Sequence, residues 1–416
     1  MVEYPMGVWF HRTFTSKATR ETALEMASVL DKWLWHHELW LPPGITWNDM
    51  EDSEHVRYPR PRDLVIAIPY AFVFIVLRSL YERWIAVPLS KQMGVKEKIR
   101  RKVPPKPDLE KVYTTQSTCP KESDLLVLAK QCGISMKELK RWFRNRRNQD
   151  RPSITQKFCE ASWRFSFYLL AFIAGLCVLL DKPWFWNQQE CWKGYPRQVL
   201  LPSQYWYYMI ELAFYWSLLL RVSLDVKRKD FKEQIVHHIA TIFLIGFSYC
   251  ANYIRVGTLV MVIHDASDYI MECAKMFNYA GWRRTCDVLF VVFALVFLIT
   301  RLIIFPNAVI YTTFYYSMEI FQPFFGYYFF NLLLMVLQVL HIFWAYLILR
   351  MAVKFVFVGK VEKDERSDVD ESDGTEEDER MESKSISSDN HNGVLNKITN
   401  GMKNKLNERN RLPKAR

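Results

Sequence analysis

No Asn-x-Ser/Thr sequon occurs anywhere in the 416 residues, so N-glycosylation is not expected. Cysteine is sparse, eight residues with no CxxC or other metal-like spacing, which argues against a zinc module or a dithiol redox pair. The N-terminal stretch MVEYPMGVWFHRTFTSK has no uninterrupted apolar core, so no cleavable signal peptide is expected and insertion into a membrane would rest on an internal segment. Histidine clusters of the HxxHH type, which a metal-dependent membrane hydroxylase or desaturase would need, are also missing. The apolar part of the chain offers only His237, His238, His264 and His341, and no metal site is expected.

What the chain does have is long apolar runs, at about 64–88, 163–180, 205–221, 235–254, 257–276, 286–305 and 325–353. Each approaches the roughly 20 residues that a helix needs to cross the hydrocarbon core. Trp163, Tyr205, Trp206, Tyr207, Tyr208, Tyr327 and Tyr328 cluster at their ends, where amphipathic rings favour the headgroup level. Arg78, Glu82 and Arg83 interrupt the first run. Lys and Arg alternate in density between the connections: 18 in 90–162, 5 in 221–232 and 3 in 275–285, against 3 in 181–204, 1 in 251–256 and none in 306–324. The positive-inside rule then places the N-terminus in the lumen and the C-terminus in the cytosol, a parity that seven crossings satisfy. Cys191, Cys250 and Cys177 fall towards the lumenal side, where a disulfide is chemically permitted, but nothing pairs them.

The fold expected is all-α: a polytopic membrane helix bundle of about seven transmembrane helices with a small cytosolic homeodomain-like helical insert. Its parts are a lumenal N-terminal region 1–63, a first transmembrane helix 64–89, the insert 95–152, a membrane core 160–356 and a disordered cytosolic tail 359–416. The tail is acidic (KVEKDERSDVDESDGTEEDER) and then basic, without apolar periodicity, a composition that cannot bury enough surface to fold. Ser367, Ser372 and Thr375, set among carboxylates, are expected sites of an acidophilic kinase. In the insert, Leu125, Leu126 and Leu128 precede the turn Cys132-Gly133-Ile134-Ser135, and Leu139, Trp142 and Phe143 follow on one side of a second helix. Ser135 and Glu138 have capping-box spacing. The run RWFRNRRNQ resembles a homeodomain recognition helix, with Asn145 at the adenine-reading position. Pro104, Pro105 and Pro107 fall where the first homeodomain helix should begin and are expected to break it. With the module tethered between membrane segments, specific DNA binding is not expected; contact with the membrane domain or with anionic lipid is.

Two segments carry polar stripes that a bilayer makes costly and that therefore point to chemistry. In DVKRKDFKEQIVHHIAT, Glu233, Gln234, His237, His238 and Thr241 recur at helical spacing. In MVIHDASDYIMECAK, His264, Asp265, Asp268, Glu272 and Lys275 form a second stripe. The first segment would run from cytosol to lumen and the second back, so the groups can converge near the cytosolic face. His341 stands alone and is expected only to hydrogen-bond a neighbouring helix. An imidazole beside a carboxylate can serve as a general base, and an imidazole can also attack an acyl carbon directly.

These two stretches together, DVKRKDFKEQIVHHIAT and ANYIRVGTLVMVIHDASDYIMECAKMFNYA, resemble the signature of the ceramide synthases, membrane enzymes with a TLC domain. The likeness extends over roughly residues 30–360, including the homeodomain-like insert, and is nearest the long to very-long-chain branch. It implies transfer of a fatty acyl group from acyl-CoA, as cosubstrate rather than bound cofactor, to the amine of a sphingoid base, in the endoplasmic reticulum membrane. It also implies contact with membrane lipids and dimers of the chain with itself or with other family members. The family's essential histidines map onto His237 and His238 and its intramembrane aspartates onto Asp265 and Asp268, which would orient the imidazoles and attract the substrate ammonium. Lys227, Arg228 and Lys229, with Arg283 and Arg284, form a basic rim suited to the phosphates of coenzyme A, or to plain membrane anchoring. Acyl-chain preference in the family depends on the last lumenal connection, here PNAVIYTTFYYSMEIFQPFFG. The alternatives are a membrane-tethered homeodomain-type regulator and a non-enzymatic TLC lipid sensor.

Overall fold

The computed structural model describes residues 26, 28, 29, 32–54, 56–97, 100, 102–226 and 230–358. The basic triplet Lys227, Arg228 and Lys229, the three phosphorylation candidates Ser367, Ser372 and Thr375, and the whole tail 359–416 lie outside the described residues. The chain divides into two compact units, one built from the segments either side of the insert and one containing Ile99–Arg151.

All regular structure among the described residues is helical. In the larger unit the seven apolar runs coincide with helices. The first is α1, Pro61–Gln92, which begins as a 3-10 turn and passes through a π-turn at Glu82–Ala86. The insert contributes α2 (Pro107–Thr115), α3 (Glu122–Cys132) and α4 (Met136–Asp150). The membrane core then supplies α5 (Ile154–Leu179), α6 (Pro202–Arg221), α7 (Phe231–Cys250) and α8 (Ile254–Tyr279). It ends with α9 (Arg283–Leu298), prolonged by a π-helical stretch Ile299–Ile310, and α10 (Phe325–Val358). Among the described residues, four stretches are long and apolar enough to cross a membrane: Pro61–Gln92, Met136–Leu179, Arg283–Glu319 and Phe325–Phe357. The bundle helices outside that set, α6, α7 and α8, are those with acids, histidines and tyrosines in their apolar runs, which lower the mean hydropathy and, as shown below, face inward.

The charges that interrupt α1 do not break it. Arg78 is 3% exposed and clasps Asp225 with both arms of its guanidinium, at 3.0 and 2.9 Å, while its Nε donates to Glu82 at 2.7 Å. Arg164 of α5 donates to the same Asp225 at 3.0 Å. A bidentate arginine–carboxylate pair is among the stronger polar contacts available, and this one fastens the connection between α6 and α7 to α1 and α5. Where α6, α7 and α8 meet, Gly257 is required by space: a Cβ there would lie 1.8 Å from the Tyr208 hydroxyl. All eight cysteines are free thiols, Cys191 and Cys250 among the buried ones.

The insert is a three-helix unit with its own core of Leu109, Tyr113, Leu125, Leu128, Leu139, Trp142 and Phe143. Its first helix corrects the expectation from the prolines. Pro107 occupies the opening position of α2, where its missing N–H has no helical partner to lose and its fixed φ suits the helix. Gly133 ends α3 in the left-handed region at φ 62°, and Ser135 caps α4 by accepting from the Glu138 amide at 3.3 Å. The Tyr113 hydroxyl donates to Asp150 at 2.8 Å, and burial together with that carboxylate pushes its pKa up to about 12.

Candidate functional site

Helix α7 brings in the histidine pair one and a half turns from its start. Adjacent side chains diverge by about 100° on a helix, so the two rings face different neighbours. His237 lies between His264 of α8, ring centroids 6.4 Å apart, and the edge of Trp344 of α10, at 5.4 Å. His238 turns towards Tyr215 of α6, at 5.9 Å. Both rings are buried, 5.7 Å apart, and among the described residues the Nδ1 atom of each is without a hydrogen-bond partner.

The stripe on α8 lies opposite, and each of its members has a different partner. Asp268 accepts from Arg301 at 2.6 Å. Arg301 also donates to the His264 carbonyl at 2.9 Å and to Ser267 at 3.2 Å, so one buried guanidinium ties the π-helical stretch to α8. Asp265 accepts from the Tyr207 hydroxyl of α6 at 3.3 Å. Glu272 pairs with Lys275 at 2.6 Å. His264 Nδ1 is 2.6 Å from the Val260 carbonyl, which can only accept, so the proton of a neutral His264 sits on Nδ1. Its Nε2 lies 3.0 Å from His341 Nε2, which Arg301 Nη1 also approaches at 3.4 Å. His341 thus makes the interhelical bond expected of it.

These side chains line two cavities stacked along α8. The outer one, of about 90 Å³, is polar and is bordered by Arg164, Asp230, His237, His238, Asp268 and Arg301 among others. That is room for several water molecules. The inner one, of about 30 Å³, is walled mostly by apolar side chains such as Leu244, Ile245, Met261 and Phe330, but Glu211, His264 and Asp265 also border it. They adjoin at the histidines: Thr241 lines the inner cavity and hydrogen-bonds the His237 carbonyl at 2.8 Å.

Of the residues singled out in the sequence, His237, His238 and Asp268 therefore share one cavity, and Asp265 lies in the next. No hydrogen bond joins either aspartate to the histidine pair among the described residues, because Asp268 is held by Arg301 and Asp265 by Tyr207. Arg283 and Arg284 open α9 on an exposed face and line neither cavity. Sequence reasoning missed Arg164, Glu211 and Arg301. Each is a lone charge in an apolar run (SWRFSFYLL, YMIELAFYW, FLITRLIIF), the very signal that should have marked it. Trp344, whose indole donates to Asp230 at 3.1 Å, gave no comparable sign.

A bundle with membrane-length apolar helices that buries imidazoles and acids around internal cavities fits a membrane-embedded enzyme. The TLC domain family matches residues 157–350, and the homeodomain family matches residues 105–152. Ceramide synthase 4 of Homo sapiens is 52% identical over 352 residues, covering 85% of this chain and 89% of the relative. Ceramide synthase 4 of Mus musculus is 48% identical over 376 residues, 90% and 96% of the two chains, and ceramide synthase 3 of Homo sapiens is 50% identical over 337 residues, 81% and 88%. The chain belongs to the ceramide synthases, a family of multi-pass membrane acyltransferases.

Proposed function

We propose that the protein is a ceramide synthase that moves a fatty acyl group from acyl-CoA to the amine of a sphingoid base, giving ceramide or dihydroceramide. The observation that carries the reading is the burial of His237 and His238 at the junction of a polar and an apolar cavity. The coenzyme A part of the donor is water-soluble while its fatty acyl chain and the alkyl chain of the sphingoid base are not, so the reaction needs a wet chamber opening onto a dry one. The identity to ceramide synthases over most of the chain supports the same assignment. We place the protein in the endoplasmic reticulum membrane with seven crossings, a lumenal N-terminus and a cytosolic C-terminus. The alternation of basic connections supports that orientation.

His237 or His238 acts as nucleophile. A general base needs a partner to hold its tautomer, and neither ring has one on Nδ1. Direct attack on the thioester carbonyl needs only a ring nitrogen facing the chamber. The imidazole displaces coenzyme A as the free thiol, and the acyl-imidazole is then taken by the amine, which restores the ring. Asp268 and Arg301 hold α8 and the π-helical stretch in register around the chamber, and Arg164 and Lys275 provide positive charge near its cytosolic end. The experiment uses the purified full-length protein with sphinganine and acyl-CoA. Ceramide formation should vanish in His237→Ala or His238→Ala at unchanged thermal stability, and full activity in both variants would rule out this site. Acyl-CoA alone should leave an adduct on one of these histidines by peptide mass spectrometry.

A further inference from the structure

The acids bordering the two cavities are not equivalent. Asp268 is matched to Arg301 at 2.6 Å and Glu272 to Lys275 at 2.6 Å. Asp230 accepts from Trp344 at the outer end, about two turns before His237. Glu211 and Asp265 differ from all of these. Each is 1% exposed, each borders the inner cavity, and among the described residues neither is ion-paired to a basic side chain. Glu211 comes from α6 and Asp265 from α8, and both border the one inner cavity. Among the described residues, neither Glu211 oxygen receives a hydrogen bond from a protein donor. The pair therefore has two acids, a single donor in Tyr207, and space beside it.

A desolvated acid left without a cation is costly, and a ligand that brings its own positive charge removes that cost. The wall around the pair is apolar, so the matching ligand is a cation at the end of a long alkyl chain. The pair also reaches the histidines: Asp265 follows His264, which stacks on His237, and Tyr215 lines the same cavity while packing on His238.

We infer that Glu211 and Asp265 form the seat for the long-chain ammonium and take its proton before acyl transfer, an inference that rests on the function proposed above. The step balances without a further reagent. The ammonium gives a proton to one carboxylate of the pair, leaving a neutral amine and a carboxylic acid. The amine attacks the acyl-imidazole, the new C–N bond forms as the imidazole leaves, and the second amine proton restores the ring N–H. The proton held by the acids returns to water when product leaves. Labour is thus divided: imidazole carries the acyl group, and the carboxyl pair, with Glu211 unmarked by any motif, prepares the acceptor.

The test compares two acceptors in the full-length enzyme, sphinganine and a long-chain alkoxyamine whose nitrogen is unprotonated at neutral pH. An amine with a pKa of about 10 is neutral in only roughly one molecule in a thousand at pH 7. Glu211→Gln should therefore lower the ratio of kcat/KM for sphinganine to that for the alkoxyamine by about 100-fold or more. Glu211→Asp should recover part of the ratio, and Asp265→Asn should repeat the loss if Glu211→Gln proves too unstable to assay. An equal loss towards both acceptors, or failure of Glu211→Gln to form the acyl adduct from acyl-CoA alone, overturns the inference while leaving the proposed function standing. A wild-type enzyme that acylates neither acceptor overturns both.

Discussion

The insert and the membrane bundle contain the same kinds of residue in opposite places. In the insert every core position is apolar or aromatic, and its charges stay at or near the surface, as with the Arg146–Glu110 pair at 2.8 Å. In the bundle, Arg78, Glu211, Asp265, Glu272, Arg301 and four histidines are buried. Burying a polar group without a partner costs stability, so the bundle's polar interior has to be offset by contacts, and most of it is: Arg301 with Asp268, Arg78 with Asp225, His264 with His341. Among the described residues, the groups left unmatched include the two histidine Nδ1 atoms and both Glu211 carboxyl oxygens. What distinguishes a reaction chamber from a core is thus where the polar groups remain unmatched, more than how many there are.

The contrast can be broken most sharply at Arg301. Arg301→Met leaves the partly buried Asp268 beside a hydrophobe, and removing one partner of a buried pair costs up to about 3–5 kcal/mol. The variant should melt well below wild type in detergent, while Arg301→Met with Asp268→Asn should recover most of the loss; equal melting of the two would show that the pair is not buried in solution. In the insert the comparable damage comes from apolar truncation. Leu139→Ala in α4 should cost about 3 kcal/mol, seen as faster hydrogen exchange across residues 107–150. Trp344→Phe is expected to come next. It removes the donor to Asp230 and should cost about 2 kcal/mol, lowering kcat while the enzyme still binds acyl-CoA.

The smallest effect falls on the insert's surface. Arg146→Ala should change its stability by less than about 1 kcal/mol. Arg146 holds the Glu110 carboxyl below the usual carboxylate range, so this contribution is present above the ordinary Glu pKa and disappears as pH falls through the lowered one. Hydrogen exchange of the insert should therefore separate Arg146→Ala from wild type at neutral pH and bring them together in acid. A persistent difference in acid would assign the effect to packing of the arginine stem.

Legibility followed the same divide. The insert's second and third helices, the turn at Gly133 and the Ser135 cap could be read directly, because local periodicity and capping determine them. Its first helix was misjudged because the same proline that breaks a helix interior opens one at its first residue. In the bundle, the apolar runs and the two polar stripes were visible, as was the pairing of His341 with another helix. Arg164, Glu211 and Arg301 were not recognised, since a single charge in an apolar run does not reveal which helix it will meet.

By itself the sequence determined the bundle's helices, their order, and which of them carry ionisable groups, since hydrophobic period and length are local properties of the chain. Only tertiary structure decided which acid is matched and which is left open. Asp265 and Asp268 are three residues apart on one helix, yet Arg301, 33 residues further along the chain, neutralises only the second. That choice is made by the packing of α8 against α6 on one side and the π-helical stretch on the other.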